Sequence, residues 1–364
     1  MSRFWSRVDW VFLALLVAIV GFGIANIRSA SWLPRTETYA GFAVRQIFWA
    51  LIGLAVLFFT LFLHYRRLGR FAYALYGMGL VLLAVTLLFP EVKGARRWIP
   101  LGILNLQTSE LMKVFVLVAL ARHLSTNDLG RLVDYAVPIL LVLVPMALVF
   151  LQPDFGMAAL YIPVLVAMLL ARGARMRHLA ILAVAGASAI PLAYPFLKPH
   201  QKARIRSYVL QAERSETERQ GDAYQVDQAK IAVGSGGLLG RGWGKGTQTR
   251  MGYIPEDHND FIFAVVCEEW GFLGASLLLS LYLGVFLLGL SAADQTRDPF
   301  GRLFAVGVVA VYATQVLVNA GMNLGLVPIT GLTLPLMSYG GSSLVTTLAA
   351  FGLLMNVKVR RAIE

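Results

Sequence analysis

The apolar residues of this chain come in long uninterrupted runs, and that constrains its fold more than any other feature. A hydrocarbon layer about 30 Å thick takes about 20 apolar residues per crossing helix. No water reaches that layer, so the backbone must satisfy its own hydrogen bonds, as a helix does. Ten runs are read as spans: 9–30, 43–63, 71–90, 108–124, 133–151, 155–171, 178–197, 261–288, 303–322 and 341–357. A membrane β-barrel would show alternation in segments of about ten residues, and no such pattern is present. The 364 residues are 58% hydrophobic and 14% charged, against about 25% charged in soluble domains. Length alone would allow two or three soluble domains, but the runs override that prior. The expectation is an all-α polytopic membrane protein, one bundle of ten transmembrane helices over 1–364. The first run is longer than a signal-peptide core and lacks an A-x-A cleavage pattern, so it is read as a retained span.

Lys and Arg set the orientation. Fifteen lie on one side: Arg3, Arg7, Arg66, Arg67, Arg70, Arg122, Arg131, Arg172, Arg175, Arg177, Arg297, Arg302, Lys358, Arg360 and Arg361. The short loops and helix ends of the other side hold six: Arg28, Arg35, Arg45, Lys93, Arg96 and Arg97. The positive-inside rule makes the richer side, with both termini, cytoplasmic. The segment 198–260 then forms a large extracytoplasmic loop between spans seven and eight, too long to count in that rule. Its residues 201–219 are charged and read as a surface helix, and 224–234 alternate polar and apolar. The net charge of +12 is assigned to topology anchors and anionic lipid rather than nucleic acid. The lone Cys267 excludes an internal disulfide and a cysteine metal site. The five histidines are scattered.

Ionisable residues within a span cost roughly 2.5–3.5 kcal/mol at mid-helix, so each needs a reason. QTSELMK (107–113) opens span four. Thr108 or Ser109 can cap it, and Glu110 in the first turn suits the helix dipole. Lys113 shares a face with Glu110. The bland reading is a cap plus a structural ion pair; the functional one is a cation held for an anionic substrate. QPDFG (152–156) puts Asp154 between spans five and six, either as a lone cap or as part of a site. PEDHNDF (255–261) precedes span eight. Asp257 or Asn259 could cap that helix, but capping does not explain its several acids, Asp260 foremost, with His258 among them. Glu268 and Glu269 follow two turns deeper. In span nine, Gln315, Asn319 and Asn323 recur at i, i+4, i+8, a stripe usually read as helix–helix glue. The prolines and glycines of LVPITGLTLPLMSYGGSS (326–343) forbid a continuous helix. Irregular backbone at that depth implies a cavity or protein around it. GSGGLLGRGWGKGTQ (234–248) is no P-loop, since Gly246 follows Gly244-Lys245; flexible backbone near a head-group is the modest reading. The sum is a polar cavity at the outer end of an apolar bundle, suited to a lipid with a large polar head.

Six motifs in order, GARRWIPLG (94–102), QTSELMK, QPDFG, GSGGLLGRGWGKGTQ, IPEDHNDFIFAVVCEEWG (254–271) and PLMSYGGSS (335–343), resemble the SEDS family (shape, elongation, division and sporulation) over nearly the full chain. GRGWGKGTQ looks like the RodA, or elongation, branch more than the FtsW, or division, branch. The resemblance implies a lipid II glycosyltransferase on the outer face of the bacterial cytoplasmic membrane. It would polymerise peptidoglycan and release undecaprenyl pyrophosphate, beside a class B penicillin-binding protein in the elongation complex. The family's catalytic aspartate matches Asp260. His258-Asn259-Asp260-Phe261 departs from the usual H-T-D-F at one position, and Thr108 stands where the family carries proline. Asp260 is then expected as general base on the acceptor hydroxyl, with inversion. Lys113 and Arg45, then Arg96, Arg97 and Arg204, are the candidate cations for the pyrophosphate. Glu110, Asp154, His258, Ser342 and Ser343 complete the candidate substrate-binding set. A divalent cation on the pyrophosphate remains possible, with no ligand set visible. The rival classes are a lipid II flippase, which should carry matching polar groups near both faces or at the midplane, and a non-catalytic scaffold.

Overall fold

The computed structural model describes residues 7–33, 36, 38–91, 95–102, 105–193 and 222–360. Among them lie thirteen α-helices: α1 (Trp10–Ala30), α2 (Phe42–Phe62), α3 (Tyr65–Arg70), α4 (Ala72–Thr86), α5 (Thr108–Thr126), α6 (Ala136–Leu151), α7 (Phe155–Arg172), α8 (Met176–Ala193), α9 (Asp222–Gly236), α10 (Thr247–Arg250), α11 (Ile262–Asp294), α12 (Pro299–Asn323) and α13 (Gly341–Arg360). Two short antiparallel hairpins, β1–β2 (Trp32–Leu33, Thr38–Tyr39) and β3–β4 (Trp98–Pro100, Asn105–Gln107), join α1 to α2 and lead into α5.

Seven segments are long and apolar enough to cross a membrane: α1, α2, Leu132–Leu151, α7, α11, α12 and α13. α4 and the described part of α8 are apolar but shorter. α5 is less apolar than these, since it carries Glu110, Lys113 and Arg122. It needs no apolar exterior, since thirteen of its nineteen residues are buried among α3, α4, α6, α7, α12 and α13. α8 stands apart. Most of its described side chains are exposed, and it meets the bundle through Leu179, Leu182 and an edge contact of His178 on Tyr135 at 5.3 Å.

The stretch 224–234, which alternates polar and apolar in sequence, is helical within α9. Val226, Ala229 and Ala232 recur at helical spacing and are buried, Ala229 and Ala232 against Ile254, Phe261, Ala264 and Met322. α11 has 33 residues, about 50 Å at 1.5 Å per residue, well beyond one bilayer core. Gly271, at φ 65° and ψ −164°, divides it. Only a residue without Cβ takes that backbone readily. Residues 262–269, before the kink, are wholly buried. As the prolines and glycines require, the chain between α12 and α13 is not helical.

Candidate active site

The loop carrying Asp260 is held from below by side chains of α12. Asn319 Nδ2 donates to the Asp260 carbonyl at 2.9 Å and to the Leu332 carbonyl at 2.7 Å. Asn323 Nδ2 donates to the same Asp260 carbonyl at 3.2 Å, and its Oδ1 accepts from the Ala264 amide at 3.0 Å. The irregular segment after α12 holds the loop from the side. Ser338 Oγ donates to the Asn259 carbonyl at 2.7 Å, and the Tyr339 amide to the His258 carbonyl at 2.9 Å. That segment is itself pinned by Gln46 of α2 to the Ser338 carbonyl and by Gln315 to the Thr333 carbonyl. Main-chain groups at bundle depth are thus satisfied by side chains, as low dielectric demands. The polar stripe read as glue does join elements, and it also fixes the backbone of Asp260.

No side-chain cap opens α11, whose N-cap is Phe261. Asp257 instead accepts from its neighbour His258, at 2.7 Å from the amide and 3.0 Å from Nδ1. Burial pushes the Asp257 carboxyl up from the usual carboxylate range, with the His258 contacts opposing. The His258 ring stacks on Phe42, centroids 4.3 Å apart. Asn259 is engaged by Glu256 at 2.6 Å.

Glu110 and Lys113 form the expected i,i+3 pair at 2.8 Å, closed from solvent. Lys113 Nζ also donates to Gln315 Oε1 at 3.1 Å and lies over the Tyr312 ring at 5.2 Å. Neither Thr108 nor Ser109 caps α5; the N-cap is Gln107, and the Thr108 hydroxyl pairs with that of Thr86 at 2.9 Å. Ser342 Oγ accepts from the Gln107 amide at 3.1 Å. Ser343 lies half-buried in the first turn of α13.

Asp154 occupies the N-cap position of α7 and is 1% exposed. Its Oδ2 is 3.8 Å from Arg97 Nε. Burial raises the Asp154 carboxyl; the Arg97 charge, the Met157 amide and Gln107 oppose the rise, and Glu110 adds to it. Arg97 also donates through Nη2 to the Pro153 carbonyl at 2.5 Å. A Cβ built on Gly331 would stand 3.8 Å from Arg97 Nη1 and 3.9 Å from Asp260 Oδ2, so Arg97 and Asp260 flank one glycine. Arg96 is engaged at the end of α4, by Glu91 at 3.3 Å and the Leu87 carbonyl at 3.0 Å. Arg45 is exposed in the first turn of α2. Arg204 lies outside the described residues.

Glu268 and Glu269 serve a different purpose. Glu268 accepts from the amides of Gln248 (2.8 Å) and Thr249 (3.2 Å) and from the hydroxyls of Thr247 (3.3 Å) and Thr249 (2.8 Å). Glu269 takes the Ser29 hydroxyl of α1. The main chain of the glycine-rich segment bonds to the carbonyls of both glutamates through Arg241 and Gly242, and Trp243 reaches the Ala25 carbonyl at 3.0 Å. The segment read as flexible is fastened between α1 and α11. Its glycines admit close backbone contact rather than motion.

Among the described residues no group of three His, Cys, Asp or Glu could hold a metal ion. Asp154 and Glu110 each face a cation, so their arrangement does not fit a resident divalent ion. Several residues around the Asp260 loop, namely Asn319, Asn323, Ser338 and Gly331, are missing from the sequence-based site. The spacing of Asn319 and Asn323 was a readable signal; the other two carried none.

The family model described as "Cell cycle protein", for FtsW, RodA and SpoVE, matches residues 8–363. The peptidoglycan glycosyltransferase MrdB of Escherichia coli K12 is 35% identical over 364 residues, covering 99% of this chain and 96% of its own. A probable peptidoglycan glycosyltransferase FtsW of Geobacter metallireducens is 34% identical, covering 98% and 96%. A chain from a structure on the coordination of polymerization and crosslinking by a peptidoglycan synthase complex aligns with TM-score 0.83 and 38% identity, over 98% of this chain and 99% of that one. The rod shape determining protein RodA of Thermus thermophilus aligns with TM-score 0.72 and 35% identity, over 97% of each chain.

Proposed function

The chain belongs to the FtsW/RodA/SpoVE family of cell cycle proteins, and on that premise we propose that it polymerises peptidoglycan from lipid II, with Asp260 as the general base. The observation that carries this reading is the carboxylate of Asp260, which borders the same Gly331 as Arg97, on a backbone fixed by Asn319 and Asn323. α1, α2, α4 to α8 and α11 to α13 are the ten spans, with both termini in the cytoplasm and Asp260 at the outer face of the bacterial inner membrane. The Lys and Arg asymmetry supports that orientation. The whole chain is one transmembrane domain, and 198–260 is its extracytoplasmic loop.

The acceptor is the C4 hydroxyl of the N-acetylglucosamine of lipid II. Asp260 takes its proton as the oxygen attacks the anomeric carbon of the lipid-linked N-acetylmuramic acid, a contribution of roughly 10²–10⁴-fold. The bond from that carbon to the pyrophosphate oxygen breaks, and undecaprenyl pyrophosphate leaves. One base and a direct displacement give inversion. A retaining route wants a second carboxylate as nucleophile, and Asp154 and Glu110 are both turned to cations. Arg97 is the foremost cation for the developing charge, with Arg45 and Arg204 reaching the diphosphate from the rim and Arg96 a weaker candidate. Lys113 is committed to Glu110 and Gln315, so it organises the floor beneath. His258, Ser342 and Ser343 line the acceptor side. A divalent ion would arrive with the pyrophosphate rather than on a protein ligand set. The synthase-complex relative supports a class B penicillin-binding protein as partner.

The test is Asp260→Asn in purified protein given lipid II. Loss of polymer with retained thermal stability is expected; a full polymer yield sinks the base assignment.

A further inference from the structure

We propose that Asp154 is a positioning residue for this reaction: with the Pro153 carbonyl it holds Arg97 in place beside Asp260, and Gly331 keeps open the gap across which the two act. The inference rests on Asp260 being the base.

Arg97 faces partners at two of its three nitrogens from one side. Nη2 donates to the Pro153 carbonyl, and Nε faces the Asp154 carboxylate at 3.8 Å. Both contacts come from the three-residue turn between α6 and α7, which holds this side of the guanidinium, Nη2 by a hydrogen bond and Nε by charge alone. Nη1 and Asp260 Oδ2 lie 3.8 and 3.9 Å from the place a Gly331 Cβ would take, so the two share that space. Gly331 has φ +71°, and a side chain there would fill the space between the two charges. Asp154 is buried, and truncating it removes the carboxyl group that faces Arg97.

The arrangement gives Arg97 two successive uses. In the empty site its charge favours the ionised form of Asp260, the form able to accept a proton. As the glycosidic bond breaks, the same nitrogen already faces the place where negative charge appears, with no reorganisation needed. Asp154 touches neither sugar nor phosphate; it acts only through Arg97. Other charged or titratable groups face these two acids. Glu110 and Tyr161 interact with Asp154, and Glu256, Asp257 and His258 precede Asp260 on its own loop.

The experiment is the pH profile of kcat/KM for lipid II polymerisation in detergent. It compares wild type, Asp154→Ala, Asp154→Asn, Arg97→Ala, the Asp154→Ala/Arg97→Ala double variant and Asp260→Asn, each checked for folding by thermal unfolding. Asp154→Ala and Arg97→Ala should each move the acidic limb upward by roughly one pH unit, the scale for an opposite charge nearby. The double variant should move no further than Arg97→Ala alone, because the two share one path. Asp154→Asn, whose amide oxygen still faces the guanidinium, should lie between wild type and Asp154→Ala and tests the idea if the alanine variant does not fold. A limb unmoved in Asp154→Asn and Asp154→Ala, with the rate lowered equally at every pH, overturns the proposal. So does a double variant whose shift is the sum of the two. Failure of the base reading shows separately, as wild-type polymerisation by Asp260→Asn.

Discussion

The side-chain amide of Asn319 and the main-chain carbonyl of Asp260, 59 residues apart in sequence, meet at 2.9 Å. Asn323 adds a second donor to the same oxygen. An aspartate at the head of a helix is ordinarily free to shift with its loop. Here two amides on a helix that is itself buried fix where that loop ends, so the base is aimed by α12 rather than by α11, which it precedes.

Asn319→Ala should therefore damage turnover more than binding. It removes one donor from Asp260 and another from Leu332, and displacement of a reacting group by about 1 Å costs about 10²-fold. In polymerisation assays kcat should fall by roughly ten- to a hundredfold, with KM little changed. Wild-type kcat in the Asn319→Ala, Asn323→Ala double variant would remove this role from both.

Removing the fastening of the glycine-rich segment should act on stability. Glu268→Ala leaves two amides and two hydroxyls without their shared acceptor, at a cost of about 1–3 kcal/mol for each group left unsatisfied in the interior. Glu268→Gln keeps one acceptor oxygen and should lose less. Apparent melting temperatures at one scan rate in detergent should rank wild type above Gln above Ala; equal values for all three would mean that the fastening is dispensable.

Much of this was legible in the sequence, for identifiable reasons. Lipid imposes long apolar helices, so the runs located them. The three-residue spacing of Glu110 and Lys113 fixes their geometry wherever the helix goes. The same logic applied to Gln315, Asn319 and Asn323 found the shared face but not what it binds, because the partner carbonyls lie on another loop. Capping was the wrong account of Asp257, since its neighbour His258 offers a nearer donor than the amides of α11. In sequence Glu268 reads as a deeper part of the acidic motif. Nothing local says that it points to Gln248 and Thr249, and the kink at Gly271 that allows this docking lies in an otherwise apolar run. Gly331 matters through the two charged groups on either side of it, a relation that only the folded chain creates.

Lys113→Ala should be the most damaging single change inside the bundle. It strands Glu110 as a buried charge, where breaking a buried pair by removing one partner costs about 3–5 kcal/mol. Adding Glu110→Gln should recover part of the loss, since no bare charge remains. The comparison is yield of folded protein and thermal unfolding of the two single variants and the double. A double variant less stable than Lys113→Ala by the full effect of Glu110→Gln would show that the two residues act independently.

The buried carboxyl of Asp257 should give stability a pH dependence of known sign. Burial raises its folded-state pKa, with His258 only partly opposing, whereas in the unfolded chain an aspartate ionises near about 3.9. Below that value both states are protonated and no penalty exists. As pH rises, the unfolded chain releases the proton first, so it binds fewer protons than the folded state and stability falls with pH. The fall is complete once the folded carboxyl has ionised. Asp257→Asn cannot ionise, yet its Oδ1 can still accept from the His258 amide. The variant and wild type should differ least below about pH 4, and the variant should become the more stable as pH rises to neutrality. Melting temperatures across that range decide the matter: parallel curves for the two proteins would mean that Asp257 ionises no differently when folded.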